Sequence, residues 1–325
     1  MSAKTIGLVV GLALFVEMLI FPAPGGMPDK AWHMCALIVL MASWWMTQAV
    51  PLTVTALLPF LAMPAFGVLN ANDSAAAYYS PILFLVLGGA MIALAIERTG
   101  LHRRLAMAII GRKQRTSGGL LFAFMTATAI LSMIVSNTAT TLIMIPIAVA
   151  VLRAADVPPG ETAGLAGALA MGIAFSASIG GLGTLVGSPT NAIAVGLIEK
   201  ITGRDISFVE WALYGLPLVA LSIPVCWLIL MRVQQVGPGL FDAGAAAESL
   251  GERRAWSTAE KRLVPLIAAT VAAWIALPFV EPSLPKNMVT DGTIAIAFAL
   301  LLFIIRDGTG RPLLNWEEAN RAPWD

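Results

Sequence analysis

The chain of 325 residues is 58% hydrophobic and only 12% charged, with a formal net charge of +1. Soluble domains carry roughly a quarter charged residues, so this composition excludes a soluble globular fold, and the near-zero charge gives no bulk attraction to nucleic acid. What remains is an all-α polytopic membrane protein built to sit in the lipid bilayer.

A spanning helix needs about 20 apolar residues. Apolar windows fall at 6–22, 32–50, 51–67 and 80–97, then at 118–152, 163–199, 211–231, 263–280 and 289–305. The first carries Glu17 in its core and no small-x-small cleavage site, so it reads as a span rather than a signal peptide. Glu17 is either a proton-relay carboxylate or a side chain facing a polar pocket. Trp32, Trp44, Trp45 and Trp211 read as interfacial anchors. Cys35 and Cys226 lie inside apolar windows and read as small hydrophobic residues. His33 and His102 stand apart from any Cys, Asp or Glu pattern that would suggest a metal.

Basic residues orient the windows. Arg98, Arg103, Arg104, Arg112, Lys113 and Arg115 are opposed only by Glu97, and a second basic loop runs from Arg232 to Arg262. Both loops are cytoplasmic only if an even number of crossings separates them. The blocks at 163–199 and 211–231 supply two, so 118–152 must cross twice or dip and return. Its two halves are short and part at Ser136-Asn137-Thr138, which predicts a re-entrant hairpin with a polar tip. Non-helical backbone at that depth is tolerated only inside protein or beside a water-filled cavity.

If the chain turns at Ser136 and Asn137, the helix that restarts with Thr138 aims its unpaired N–H groups inward, an arrangement that attracts an anion. The oxygens of Ser132, Ser136 and Asn137 are hard neutral ligands of the kind a small hard cation prefers. The competing reading is that these residues only cap and hydrogen-bond helices within a bundle. A second interruption, "FSASIGGLGTLVGSPTNAIAVG", holds Gly180, Gly181, Gly183 and Gly187 inside an apolar block. Ser188 then reads as an N-cap and Pro189 as the first helical residue of a restart. Paired broken helices of this kind mark secondary-transporter sites, with anions at helix N-termini and sodium at unwound carbonyls. The glycine run lacks the Gly-Lys-Ser/Thr ending of a phosphate loop.

The stretches "SNTATTLIMIPIAVAV", "SASIGGLGTLVGSPTNAIAVG", "WWMTQAVPLTVTALLP" and "LGGAMIALAIERTGLHRRLA" resemble the N-terminal half of the divalent anion:sodium symporter family, the dicarboxylate, citrate and sulfate carriers that include INDY-type proteins. The resemblance implies an inverted-repeat transporter fold, a homodimer, and a transport domain moving past a scaffold in elevator fashion. It implies a Na+ site formed by Ser132, Ser136, Asn137 and the Gly187 carbonyl, with Asn137, Thr138, Ser188 and Pro189 bordering a small divalent anion. The tip and the glycine-rich break contain no Lys or Arg. A dianion in so apolar a place is costly, so bound sodium and two helix ends must supply the positive potential.

The resemblance also implies a second repeat with its own hairpin, and the chain stops where that repeat would enter it, so the fold is expected to be truncated in the second repeat. The segmentation follows: scaffold helices at 1–67, a span and basic cytoplasmic amphipathic segment at 68–117, the hairpin at 118–153, the broken helix and next span at 163–231, a cytoplasmic linker at 232–262, and two spans of an incomplete repeat at 263–325. The expected setting is the inner (plasma) membrane, multi-pass, with a cytoplasmic N-terminus. The expected activity is sodium-coupled transport of C4-dicarboxylates. Sulfate, citrate or a proton-coupled arsenite-type ion carrier are the alternatives. An enzyme would need a nucleophile with a base, paired acids or a metal cluster in the spans, and the sequence offers none.

Overall fold

The computed structural model describes residues 2–78, 81–110, 116–154, 163–237, 255–285 and 288–320. Arg112, Lys113, Arg115 and most of the linker expected at 232–262 lie outside the described residues. Every extended element among the described residues is a helix, and five helical stretches are long and apolar enough to cross a membrane. The chain forms two compact units, Met1–Ser80 and Pro81–Trp324.

In the first unit α1 (Ala3–Ile20) lies along α2 (Asp29–Thr47). The contact is close because Gly7 and Gly11, four apart on one face, are the buried residues of α1. A Cβ at Gly11 would lie 2.8 Å from Ser43 Oγ, and that of Gly7 would collide with Thr47. Ser43 Oγ donates to the Gly7 carbonyl at 3.1 Å, the small-x-x-x-small packing of membrane helices. Glu17 is exposed. The window at 51–67 does not form one span: α3 (Leu52–Ala56) and α4 (Leu58–Ala65) divide at Leu57. Pro59 is the cause, because it lacks an N–H and its ring opposes the carbonyl four residues earlier. The unit ends in α5 (Ala71–Tyr78).

The second unit begins with α6 (Pro81–Thr99) and the short α7 (Leu101–Ile110), separated by Gly100 at φ +77°. Then come α8 (Ser117–Ser132), α9 (Asn137–Ala154), α10 (Gly164–Gly181), α11 (Pro189–Thr202) and α12 (Phe208–Val233). The chain continues through α13 (Thr258–Val280), α14 (Asp291–Ile304) and α15 (Trp316–Ala319). With 14 residues, α14 reaches only about 21 Å, short of the hydrocarbon core expected for the window at 289–305.

Three interiors organise the described residues of the unit, one of them formed by Leu85, Leu185, Phe208, Trp274 and Ile294. Leu121, Phe124, Met125, Met144, Leu169 and Ile173 join α8, α9 and α10. Ile92, Ile96, Leu263, Leu302 and Leu313 join α6, α13, α14 and the segment after it. The pair α8 and α10 approaches closely at Gly180, where any Cβ would collide with the Ala129 backbone. On α6, Gly88 faces the Ala295 backbone of α14, and Gly89 faces Val186.

Ion pairs fasten one end of this unit. Arg98 pairs with Asp307 at 3.3 Å and with Glu318 at 2.8 Å, and it donates to the Pro312 carbonyl. Arg104 on α7 grips Glu260 of α13 through Nε (2.8 Å) and Nη2 (3.2 Å) and stacks on Trp256. Glu260 is 5% exposed, so Arg104→Ala strands a nearly buried carboxylate. A loss of about 2 kcal/mol of stability is expected, below the full buried-pair value because Arg104 itself is partly wetted. Thermal unfolding of the detergent-solubilised protein measures it, and Glu260→Ala in the same background should restore part of the loss.

His102, buried in α7, bonds the Ile96 carbonyl through Nδ1 at 3.1 Å. Burial pushes its imidazole below the ordinary 6.5, against the opposing pull of that carbonyl and of Glu97. The fold thus favours the neutral ring, and the stability this gives is intact above the unfolded pKa and lost as pH falls through the lower folded value. The melting temperature is expected to fall between about pH 7 and pH 5, less steeply in His102→Gln.

Candidate functional site

The two interruptions foreseen in the apolar blocks are both present, and they meet. Residues 133–136 turn the chain from α8 into α9. Ser136 caps the restart: its carbonyl accepts from Thr140 N at 2.9 Å and its hydroxyl from Ala139 N at 3.3 Å. The helix begins at Asn137, one residue before the expected Thr138. The second block ends α10 at Gly181, makes a short 3-10 turn at Leu185–Gly187, and restarts as α11 with Pro189 at its first position. Ser188 holds the N-cap place in extended backbone, but its hydroxyl pairs with Thr190 Oγ1 at 2.7 Å instead of capping an N–H.

A hydrogen bond from Thr184 Oγ1 to the Met133 carbonyl ties the two turns together. Around that tie a group of neutral oxygens converges. Ser132 Oγ lies 2.7 Å from Asn137 Oδ1 and 2.7 Å from the Ala177 carbonyl. The one Ser132 hydroxyl hydrogen is shared between these two acceptors, so lone pairs outnumber hydrogens here. A Cβ on Gly187 would stand 2.6 Å from the Gly181 carbonyl and 3.0 Å from that of Ser132, and one on Gly181 would stand 2.5 Å from Asn137 Oδ1. Glycine at both places keeps open a cradle rich in lone pairs and poor in donors. Such a set of oxygens suits a small hard cation such as Na+, which Ser132, Asn137 and the carbonyls around Gly187 would hold.

Of the expected cation ligands, Ser132, Asn137 and Gly187 are thus brought together. Ser136 is exposed at the rim, with its hydroxyl engaged as a cap. Of the expected anion-facing residues, Thr138 and Pro189 are exposed in the first turns of α9 and α11, while Asn137 and Ser188 are half-buried. Both helix starts flank the cradle: α9 begins at Asn137 itself, and α11 begins immediately after Ser188.

Several residues absent from the sequence-based set shape this place. Asn191, 3% exposed, donates from Nδ2 to the Gly181 carbonyl at 2.7 Å and to the Thr184 carbonyl at 2.9 Å. Trp211 donates its indole N–H to the Leu182 carbonyl at 2.9 Å, so this residue, expected only as an interfacial anchor, also braces the loop. Gly215 lets α12 press on the same loop, its Cβ position lying 2.5 Å from the Leu182 carbonyl. The only sequence signal for Asn191 was an amide directly after the Ser-Pro-Thr restart.

A family model described as citrate transporter matches residues 42–325. The sodium-dependent dicarboxylate transporter SdcS of Staphylococcus saprophyticus is 34% identical over 336 residues, covering 99% of this chain and 64% of its own length. SdcS of Staphylococcus aureus (strain NCTC 8325) is likewise 34% identical, covering 99% of this chain and 65% of its own length. The chain therefore spans a little under two thirds of the length of these curated relatives. With the match running from the second helix onward and both broken helices inside it, the chain belongs to the citrate transporter family, in keeping with the divalent anion:sodium symporter resemblance of its motifs.

Proposed function

We infer that the chain carries a sodium site and the adjoining part of an anion site in a sodium-coupled carrier of C4-dicarboxylates such as succinate, malate and fumarate. The observation that carries this reading is the neutral oxygen cradle of Ser132, Asn137, Gly181 and Gly187 between the N-termini of α9 and α11. The names of the matched relatives, sodium-dependent dicarboxylate transporters, support the same ion and substrate class. In this reading Ser132, Ser136, Asn137 and Gly187 serve sodium, and Asn137, Thr138, Ser188 and Pro189 face the dianion. Bound sodium offsets the substrate's charge where no cationic side chain is at hand, so substrate binds only with the cation present.

The lengths of α8 and α9, 16 and 18 residues or about 24 and 27 Å, favour a hairpin that enters and leaves the bilayer from one side. An inverted repeat, a homodimer and an elevator motion of the transport domain in the plasma membrane, with the N-terminus cytoplasmic, complete the proposal. A tricarboxylate substrate is the second reading, favoured by the citrate description of the matching family model. Uptake of labelled succinate into proteoliposomes under an inward sodium gradient tests both, with citrate, sulfate and arsenite as competitors. Uptake driven equally well by a proton gradient without sodium would overturn the sodium assignment. Stronger competition by citrate than by malate would overturn the C4 assignment.

A further inference from the structure

We propose that Asn191 is a positioning residue that couples the anion-facing start of α11 to the carbonyls of the sodium cradle, an inference that rests on the transport reading above. The side chain sits in the first turn of α11, and its backbone N–H bonds the Ser188 carbonyl at 3.1 Å. Its amide then reaches back across the break. Both N–H bonds of Nδ2 are used, one on the Gly181 carbonyl and one on the Thr184 carbonyl. No other neutral side chain of that size offers two coplanar donors from one nitrogen except glutamine, which is one methylene longer.

The choice of acceptors gives the residue its meaning. The Gly181 carbonyl belongs to the last turn of α10, where helix carbonyls lack an intrahelical partner. It is also the oxygen nearest the Cβ position of Gly187, so it lines the cradle. A carbonyl has two lone pairs, and the bond from Asn191 occupies one while fixing the direction of the other. The Thr184 carbonyl lies on the loop that the Thr184 hydroxyl ties to Met133, next to the α8–α9 turn. One amide therefore holds both the cradle oxygen and the loop that joins the two turns, from the helix turn that the transport reading sets beside the substrate. An anion that draws in the first turn of α11 moves these carbonyls through Asn191. By linkage, a cation that fixes the carbonyls preorganises that turn to the same extent.

A buried amide that merely satisfied local carbonyls would make the loop less stable when removed without altering how the two ligands communicate. The measurement that separates these roles is the factor by which saturating succinate lowers the half-saturating sodium concentration, read by equilibrium binding of labelled sodium to the purified protein in lipid. For Asn191→Leu sodium affinity in the absence of succinate is expected to fall, because the Gly181 carbonyl loses its clamp, and the coupling factor is expected to fall about ten-fold in addition. Asn191→Ser, which is small and keeps one donor, should lie between, and it carries the test if the leucine variant does not fold. An unchanged coupling factor in both variants overturns the proposal. So does a loss of sodium affinity and melting temperature in parallel without a separate loss of coupling, which would make Asn191 only a structural brace. If the unmutated protein shows no effect of succinate on sodium binding, the transport reading itself falls and the inference with it.

Discussion

Asn137→Ala is expected to weaken sodium-dependent succinate binding by at least about 100-fold while the protein still inserts and melts near the temperature of the unmutated chain. The expectation follows from where the amide oxygen lies. It approaches Ser132 Oγ at 2.7 Å and faces the backbone of Gly181, so truncation removes one of the few oxygens that define the cradle. A ligand of this kind to a charged partner is worth roughly 1.5–3 kcal/mol, and the loss falls on both ions because the proposed reading sets the Asn137 side chain against the dianion as well. Stability should change little, since the residue is half-buried and its backbone carbonyl still accepts from Thr141 Oγ1 at 2.8 Å. Asn137→Asp sharpens the test. The added charge is expected to strengthen sodium binding and weaken dianion binding, a split that no general loosening of the turn would produce. Undiminished succinate binding in Asn137→Ala would remove the residue from the site.

Both interruptions were legible because they break an otherwise uniform pattern. Ser136-Asn137-Thr138 places polar groups where an apolar run had no local reason to stop, and the glycines before Ser188-Pro189 deny the helix its continuity. The cradle between them was legible only in part. Two of its oxygens, the Ala177 and Gly181 carbonyls, belong to residues whose side chains say nothing about ligation. The clamp from Asn191 depends on a backward reach of ten residues that no periodicity announces. The long-range pairs of Arg98 with Asp307 and Glu318 were hidden for the same reason, and the basic residues around them carried only a topology signal. The window at 51–67 failed differently: hydropathy alone ignored Pro59, whose backbone constraint outweighed a run of apolar residues. Gly7 and Gly11 carried a legible spacing, yet it names a contact without naming the partner.

Gly187→Ala supplies the complementary expectation, that the cradle is lost by filling rather than by removing a ligand. Its added Cβ would meet the Gly181 carbonyl at 2.6 Å and the Ser132 carbonyl at 3.0 Å. Both neighbours are backbone, so no flexible side chain can swing aside, and the loop between α10 and α11 must move. Overpacking of this kind costs about 1–3 kcal/mol. The displacement falls on the carbonyls that would hold sodium, and sodium affinity is expected to drop by about 30-fold or more, a larger effect than the change in stability. Gly196→Ala on α11 is the matched control. Its Cβ would touch only Ile82 Cγ2, at an ordinary 3.7 Å. Exchanging glycine for alanine inside a helix gains about 0.5–1 kcal/mol, so that variant should melt slightly higher and bind sodium normally. Labelled-sodium binding and thermal unfolding on the two variants read the contrast directly. Equal sodium affinity in Gly187→Ala and Gly196→Ala would place the cation elsewhere. Loss confined to Gly187→Ala would tie it to the one place where α8, α9, α10 and α11 all end or begin.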